Sequence, residues 1–176
     1  MKKILVLVTM ALVSVSAFAQ KAPKIAYVSV NYVLMNLPDA KVAQEKFITY
    51  QKQLDTILMK KYTRADEIIE IVETQGDMLQ ESVRKDYENE LQQLDQQIQQ
   101  FQQSSQLDLM KKQEELMEPV IKKVNAAIDV VAKEKGYTYV LNADNNTGRI
   151  ILYGPEEDNL SDAVLVKMGV TPPAKK

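Results

Sequence analysis

Two long stretches of the chain carry apolar residues in steps of three and four, the spacing that places them on one face of an α-helix. The first stretch follows Pro38, and Gly76-Asp77 separates it from the second. Pro38 suits the first turn of a helix because its missing N–H costs nothing there. Gly136 is typical of a residue that ends a helix. The pattern therefore predicts helices over about residues 40–75 and 80–135.

Helices of these lengths would be roughly 50 and 80 Å long at a rise of 1.5 Å per residue. Their short connection favours antiparallel neighbours whose apolar stripes pack together. We therefore expect a coiled-coil arm over residues 39–135 with its tip near residues 76–78. Irregular spacing of the stripe predicts an uneven supercoil. Pro119 predicts a hinge, because a proline inside a helix removes one backbone hydrogen bond.

Short runs rich in β-branched and aromatic residues flank the helical region and predict three strands, over residues 25–30, 137–142 and 149–153. The last two are expected to form a β-hairpin around the polar turn 143–148. Asn31 is expected to cap a brief helix after the first strand. Ser161 is expected to cap a last short helix that ends at Gly169, with Leu160 and Leu165 as a hydrophobic staple. Residues 171–176 are expected to be a flexible tail.

The three strands are expected to form one small sheet in a body made of residues 20–38 and 136–170. The fold class is therefore α+β, with a long antiparallel helical hairpin on a small β-strand body. A body of fewer than about 60 residues is marginal without disulfides or metal. Both faces of its strands carry large apolar groups. Self-association through the strands is expected, because it would bury these groups and protect the sheet edges.

The first residues have the features of a secretory signal peptide: Lys2 and Lys3, an apolar run over residues 4–13, and Ala17-Phe18-Ala19. The apolar run is shorter than the roughly 20 residues that span a bilayer. Cleavage after Ala19 would leave 157 of the 176 residues and shift the formal net charge from −2 to −4. A mildly acidic chain disfavours nucleic-acid binding, which needs a basic surface.

The composition excludes several kinds of catalytic site. The chain has no histidine and no cysteine, which removes Ser-His-Asp and Cys-His systems and histidine-bound zinc. A carboxylate pair could still act as a hydrolase, but no constellation of acids supports one. The chain also lacks a phosphate-binding glycine loop. We therefore expect neither an enzyme nor a cofactor.

Residues 142–148 resemble a calcium loop only faintly. Asn142, Asp144 and Asn146 alternate, but the glycine is misplaced, and Tyr153 stands where the loop requires a glutamate. Turn formation explains these residues, so we expect no metal site.

Two features of the arm favour an exposed helix surface. Residues 92–106 include nine glutamines interleaved with Leu94, Ile98 and Phe101, which indicates a solvated helix rather than a disordered tract. Small basic groups occur at Lys60-Lys61-Arg64, Lys111-Lys112 and Lys122-Lys123. They indicate exposed helix surface and leave weak contact with anionic lipid open.

The order of these parts resembles the Skp (OmpH) family of periplasmic chaperones over about residues 25–168. The signal peptide, the break at Pro38, the turn near Gly76, Lys133-Glu134-Lys135-Gly136-Tyr137 and the terminal Leu160-Ser161-Asp162-Ala163 carry the resemblance. It implies a periplasmic homotrimer whose strands form a shared β-barrel, with three arms enclosing a cavity for unfolded outer-membrane proteins. It places barrel contacts at Ile25, Tyr27, Val28, Val30, Tyr139, Val140, Leu141, Ile150, Ile151 and Leu152. It places client contacts at residues such as Tyr50, Leu54, Tyr62, Tyr87 and Phe101, for which the alternative is that they only hold the hairpin together.

One departure from the family concerns charge. Familiar enterobacterial members are strongly basic, whereas this chain is acidic, so no lipid-binding residues are carried over. Apolar contact with clients does not depend on net charge. The sequence therefore favours an ATP-independent holdase for unfolded outer-membrane proteins. The alternative is a non-catalytic envelope spacer or adaptor whose coiled coil docks on one folded partner.

Overall fold

The computed structural model describes residues 22–144 and 151–174. The expected signal peptide with its cleavage site at Ala19, and Ile150 of the expected hairpin, lie outside these residues. The described elements are β1 (Ile25–Val28), α1 (Val30–Asn36), α2 (Pro38–Gln75), a 3₁₀ turn (Gly76–Met78), α3 (Glu81–Glu134), β2 (Tyr139–Asn142), a second 3₁₀ turn (Glu156–Asp158) and α4 (Ser161–Lys167). Long helices with a small two-stranded sheet confirm the predicted α+β class.

The chain forms two compact units. The helical-hairpin unit comprises Leu37–Lys123, and the strand-containing unit comprises the described residues up to Asn36 and from Val124 onward. Helix α3 contributes to both units, because its last residues group with the strands. The predicted arm, residues 39–135, includes the whole of α3 and so has a different boundary from the helical-hairpin unit.

Helices α2 and α3 are antiparallel, as predicted. Side-chain contacts join Asp39 to Lys123, Lys61 to Gln97, and Arg64 to Glu90, so positions rise along α2 as they fall along α3. Pro38 occupies the first turn of α2, and Leu37 before it is extended because a residue preceding proline avoids the helical region. The buried cluster of this unit consists of Ala65, Ile68 and Leu94, with Val72, Tyr87 and Leu91 packed against it.

The sheet consists of β1 and β2 in parallel, with Ile25 opposite Tyr139 and Val28 opposite Asn142. The predicted joining of these two strands is therefore confirmed. On the other edge of β1, the Leu160 N–H donates to the Tyr27 carbonyl at 2.8 Å.

Two details of the predicted strands were wrong. The first strand ends at Val28, so Val30 belongs to α1 rather than to the sheet. Residues 151–153 form no strand. Gly154, which follows them, lies against the Tyr27 ring: a Cβ at this position would be 2.7 Å from a ring carbon, so a larger residue would force the ring to shift.

Two helices end at glycines, as the sequence predicted. Gly136 and Gly169 have φ angles of 71° and 79°. The Tyr137 N–H donates to the Ala132 carbonyl after α3, and the Val170 N–H donates to the Leu165 carbonyl after α4, both at 2.9 Å. This is the Schellman arrangement, which satisfies carbonyls that a helix end leaves unpaired.

The predicted helix starts need correction. Ser29, not Asn31, caps α1, because the Ser29 hydroxyl accepts a hydrogen bond from the Tyr32 N–H at 3.1 Å. Ser161 is the first residue of α4 rather than its cap, and its N–H donates to the Asn159 side chain at 3.1 Å. In both helices a different polar side chain accepts the hydrogen bond from an N–H of the first turn. That side chain is Ser29 at α1 and Asn159 at α4. Leu160 and Leu165 are buried.

We expect Gly136→Ala to lower the free energy of unfolding by about 1–2 kcal/mol, because an alanine at positive φ brings Cβ close to backbone. Gly76→Ala is the matched control, since Gly76 is right-handed and has no atom within 4 Å of the added Cβ. Urea unfolding followed by circular dichroism measures both. Equal effects of the two substitutions would contradict this explanation of the helix end.

Candidate functional site

A cluster of polar residues in the strand-containing unit forms hydrogen bonds around the start of α1. The Asp144 carboxylate accepts hydrogen bonds from the Ser29 hydroxyl at 2.6 Å and from the Asn31 N–H at 2.9 Å. The buried Ser161 hydroxyl accepts from the Ser29 N–H and donates to Asn159. A carboxylate at a helix N-terminus is favourable because the helix end is partially positive.

The same cluster explains the residues that faintly resemble a calcium loop. Both oxygens of Asp144 accept from protein donors, and the Asn142 side chain accepts from the Asp144 N–H as in an Asx turn. Asn146 lies outside the described residues. Within the described chain, no group of acidic, histidine or cysteine side chains could hold a metal ion.

The outer edge of β2 forms the first candidate interaction surface. Tyr139 and Leu152 are 58% and 81% exposed, and Leu141 and Ile25 are exposed beside them. A cavity of about 520 Å³ is lined by Ile25, Tyr27, Leu141, Ile151 and Leu152, among others. Among the residues that the structure describes, β2 pairs with β1 alone. Within that described part, the edge combines backbone that has no neighbouring strand with exposed apolar side chains, which suits strand-mediated association.

The predicted barrel contacts differ in their exposure. Val28 is buried within its own unit, so in the single chain it packs inward. Tyr27, Val30, Val140 and Ile151 are half-buried. The structure thus brings most of the predicted oligomerisation residues to one small region.

The helical-hairpin unit carries the second candidate surface. Of the predicted client contacts, Tyr50, Leu54 and Phe101 are half-buried, and Tyr87 packs against the buried cluster around Ile68. Tyr62 is the most exposed, and its hydroxyl accepts a hydrogen bond from Gln102 at 2.9 Å. These side chains follow the apolar stripe, so they contribute to holding the two helices together.

Other apolar residues of the hairpin are much more exposed. Met59 and Leu107 are each 60% exposed and Met110 is 69% exposed. Ile48 and Ile57 are also exposed. From the sequence, methionines of the arm such as Met59 and Met110 are candidates for adaptable contacts or for core filling, whereas Ile48, Ile57 and Leu107 were not predicted as contacts. Their signal was nevertheless visible, because large apolar residues outside the stripe have no packing role to explain them.

Four basic side chains of the hairpin, Arg64 among them, form ion pairs with acids of the same unit. Lys112 pairs with Glu115, Lys122 with Glu118, and Lys123 with Asp39. The hydrogen bond from Lys122 lowers the pKa of the Glu118 carboxyl below its ordinary value. Each of these ion pairs reduces the positive charge that its cation offers to an anionic surface.

A two-pronged ion pair joins the helices near the buried cluster. Arg64 Nε and Nη2 donate to the two carboxylate oxygens of Glu90 at 2.8 and 3.1 Å, and Arg64 also contacts Glu67. The hydrogen bond from Arg64 lowers the pKa of Glu90 and the same bond raises the pKa of Arg64. The paired geometry fixes the register of the two helices more firmly than a single contact would.

Pro119 lies inside α3, as predicted. It lines a cavity of about 260 Å³ together with Val42, Ala43, Leu116 and Val120. Pro119 thus borders a groove at the surface of the hairpin, above the buried Ala43 and Val120.

The helices of the described chain include none that is long and apolar enough to cross a membrane. The family model described as outer membrane protein (OmpH-like) matches residues 24–168. The chain belongs to this OmpH-like family.

The fold is also similar to the crystal structure of a Caulobacter crescentus protein proposed to be an outer membrane chaperone (OmpH-like). The TM-score is 0.71 at 13% sequence identity, and the match covers 90% of this chain and 92% of that one. No curated protein matches the chain.

We expect Glu90→Gln to destabilise the protein at pH 7 and to have progressively less effect as the solution becomes acidic. The folded pKa of Glu90 lies below its ordinary 4.5, so the ion pair stabilises the fold above that pH and is lost as pH falls through the lowered pKa.

The urea midpoint measured between pH 7 and about 3 tests this expectation. Glu88→Gln is the control, because Glu88 is exposed on the same helix and makes no ion pair in the described part of the chain. A Glu90→Gln effect that stays constant over the whole pH range would contradict it.

Proposed function

We propose that the protein is an ATP-independent holdase chaperone that binds unfolded outer-membrane β-barrel proteins and prevents their aggregation. The observation that carries the proposal is the set of large apolar side chains exposed on both helices of the hairpin, above all Met59, Leu107 and Met110. Family membership and the fold support a general chaperone role. An unfolded barrel protein exposes apolar strands with free edges, which aggregate unless another apolar surface covers them.

The chemistry of these side chains suits a binder of many sequences. Methionine is unbranched and polarisable, so it adapts to irregular partners. Each exposed apolar contact is weak alone, but several on one hairpin add as avidity. Holding of this kind needs no nucleotide, and the chain contains no phosphate-binding glycine loop that would bind one.

The holdase we propose is a homotrimer whose arms enclose a cavity for the client. The exposed edge of β2, with Tyr139, Leu141 and the neighbouring Leu152, supports strand-mediated assembly. A two-stranded sheet is marginal in water, so a partner strand would stabilise it. Periplasmic localisation follows from the expected signal peptide cleaved after Ala19, and Pro119 is proposed as a hinge that adjusts the cavity.

Lipid contact is not part of the proposal. The basic groups that left it open mostly form ion pairs within the hairpin. The client surface we propose is apolar, and neither docking on one folded partner nor catalysis is needed to explain it.

Light scattering during dilution of a urea-unfolded outer-membrane β-barrel protein tests the proposal. The mature protein is expected to suppress aggregation without ATP at about one trimer per client. Replacing both Leu107 and Met110 by glutamine removes two exposed apolar contacts, and we expect client binding to weaken about tenfold.

Val166→Gln is the matched control, because Val166 is 62% exposed but belongs to the strand-containing unit. It should leave holding unchanged. A client that aggregates equally with and without the wild-type protein would overturn the holdase proposal and would direct attention to a specific folded partner.

A further inference from the structure

The buried residues of the helical-hairpin unit fall into two separate layers. One layer contains Ala40 and Ala43 of α2 and Val120 of α3. The other contains Ala65 and Ile68 of α2 and Leu94 and Ile98 of α3. Between them, residues 44–64 and 99–119 include no buried residue, although every one of these residues is described. At 1.5 Å per residue this mid-hairpin segment is about 30 Å long.

The apolar stripe continues through the mid-hairpin segment without packing completely. Leu54, Leu58, Phe101 and Leu109 lie on the stripe but are only half-buried. Residues at the centre of a well-packed interface would be largely removed from water. The two helices are therefore held here by fewer apolar contacts than in either layer.

Ser105 occupies the middle of α3's stripe in this segment. Its hydroxyl oxygen is buried and has no hydrogen-bond partner. The neighbouring Ser104 is exposed, and its hydroxyl donates to the Phe101 carbonyl at 3.1 Å. A buried hydroxyl without a partner opposes packing, because it loses water without gaining a bond. Ser105 thus contributes neither apolar contact nor a hydrogen bond to the interface.

The remaining contacts across the segment are at its surface. Gln102 donates to the Tyr62 hydroxyl in an exposed hydrogen bond, and Lys112 Nζ lies 5.7 Å from the centre of the Tyr50 ring. The charged contacts Arg64–Glu90 and Asp39–Lys123 lie at the two ends of the segment. Pro119, at its border, removes one backbone hydrogen bond from α3. The charged contacts that join α2 and α3 are therefore concentrated at the two ends of the mid-hairpin segment.

We propose that α2 and α3 separate locally in the mid-hairpin segment while both buried layers stay packed, and that this opening presents Leu54, Leu58 and Phe101 to an unfolded client. Segments with few buried apolar contacts open at lower free energy than the rest of a fold. The second half of the proposal rests on the holdase function. It explains how stripe residues that close the hairpin also become a binding surface.

Hydrogen exchange of the mature protein, followed by mass spectrometry, tests the opening without any client. We expect amides of residues 47–61 and 101–116 to exchange at least about tenfold faster than those of the flanking layers in the same two helices. Uniform protection along both helices would overturn the proposal.

Substitutions at Ser105 test the cause. Ser105→Leu fills the stripe and should slow exchange in the mid-hairpin segment about tenfold, and Ser105→Ala should slow it less by removing the hydroxyl alone. Ser104→Ala is the matched control, because it makes the same change on the exposed neighbour and alters helix propensity equally. If Ser105→Leu fails to fold, the comparison of hydrogen exchange in Ser105→Ala with that in Ser104→Ala still tests the role of Ser105. Equal exchange in those two variants would overturn the role of Ser105.

The aggregation assay separates this inference from the proposed function. If the wild-type protein holds clients and Ser105→Leu holds them about tenfold less tightly, the opening serves binding. If both hold clients equally, the client half of the proposal is overturned while the holdase function stands. If the wild-type protein does not hold clients, the proposed function fails, and the exchange experiment alone decides on the opening.

Discussion

The antiparallel apolar interface between α2 and α3 is the constraint on which most of this molecule depends. Helices of 38 and 54 residues gain much of their stability from packing one face against a neighbour. Only one face of each helix is needed for that packing. The other faces are free to carry glutamines, ion pairs and exposed methionines, and this freedom permits a binding surface on an ordinary helical hairpin.

The strand-containing unit meets a different requirement. It joins residues from both ends of the chain, and Ser29 and Asp144, which share a hydrogen bond, are 115 residues apart in sequence. Closing so long a loop costs entropy, which a two-stranded sheet offsets poorly. The polar cluster around Ser29, Asn159 and Ser161 adds hydrogen bonds to that sheet. Among the described residues the outer edge of β2 has no neighbouring strand, and the strand-mediated assembly that we propose would cover it.

Local chemistry made the boundaries of the two long helices predictable. Pro38, Gly76 and Gly136 act through their own backbone preferences, and the structure places helix ends beside each of them. Features that depend on distant partners were harder to predict. Whether residues 151–153 form a strand depends on a neighbour that the sequence does not specify, and the contact of Asp144 with α1 needs the tertiary fold.

The candidate surfaces likewise combine residues that the sequence pattern identifies with features that require the tertiary structure. The apolar stripe identified Leu54 and Phe101, but periodicity cannot distinguish a residue that binds a partner from one that closes the hairpin. The structure adds the extent to which Leu107 and Met110 are exposed, which is 60% and 69%. The unpaired hydroxyl of Ser105 likewise requires coordinates, because a serine on a helix stripe usually finds a backbone acceptor.

The mass of the complex formed with a client tests the central claim most directly. Native mass spectrometry of the mature protein, mixed with a urea-unfolded outer-membrane β-barrel protein and no nucleotide, would give its composition. We expect three copies of this chain with about one client. Free client beside uncomplexed protein would contradict it.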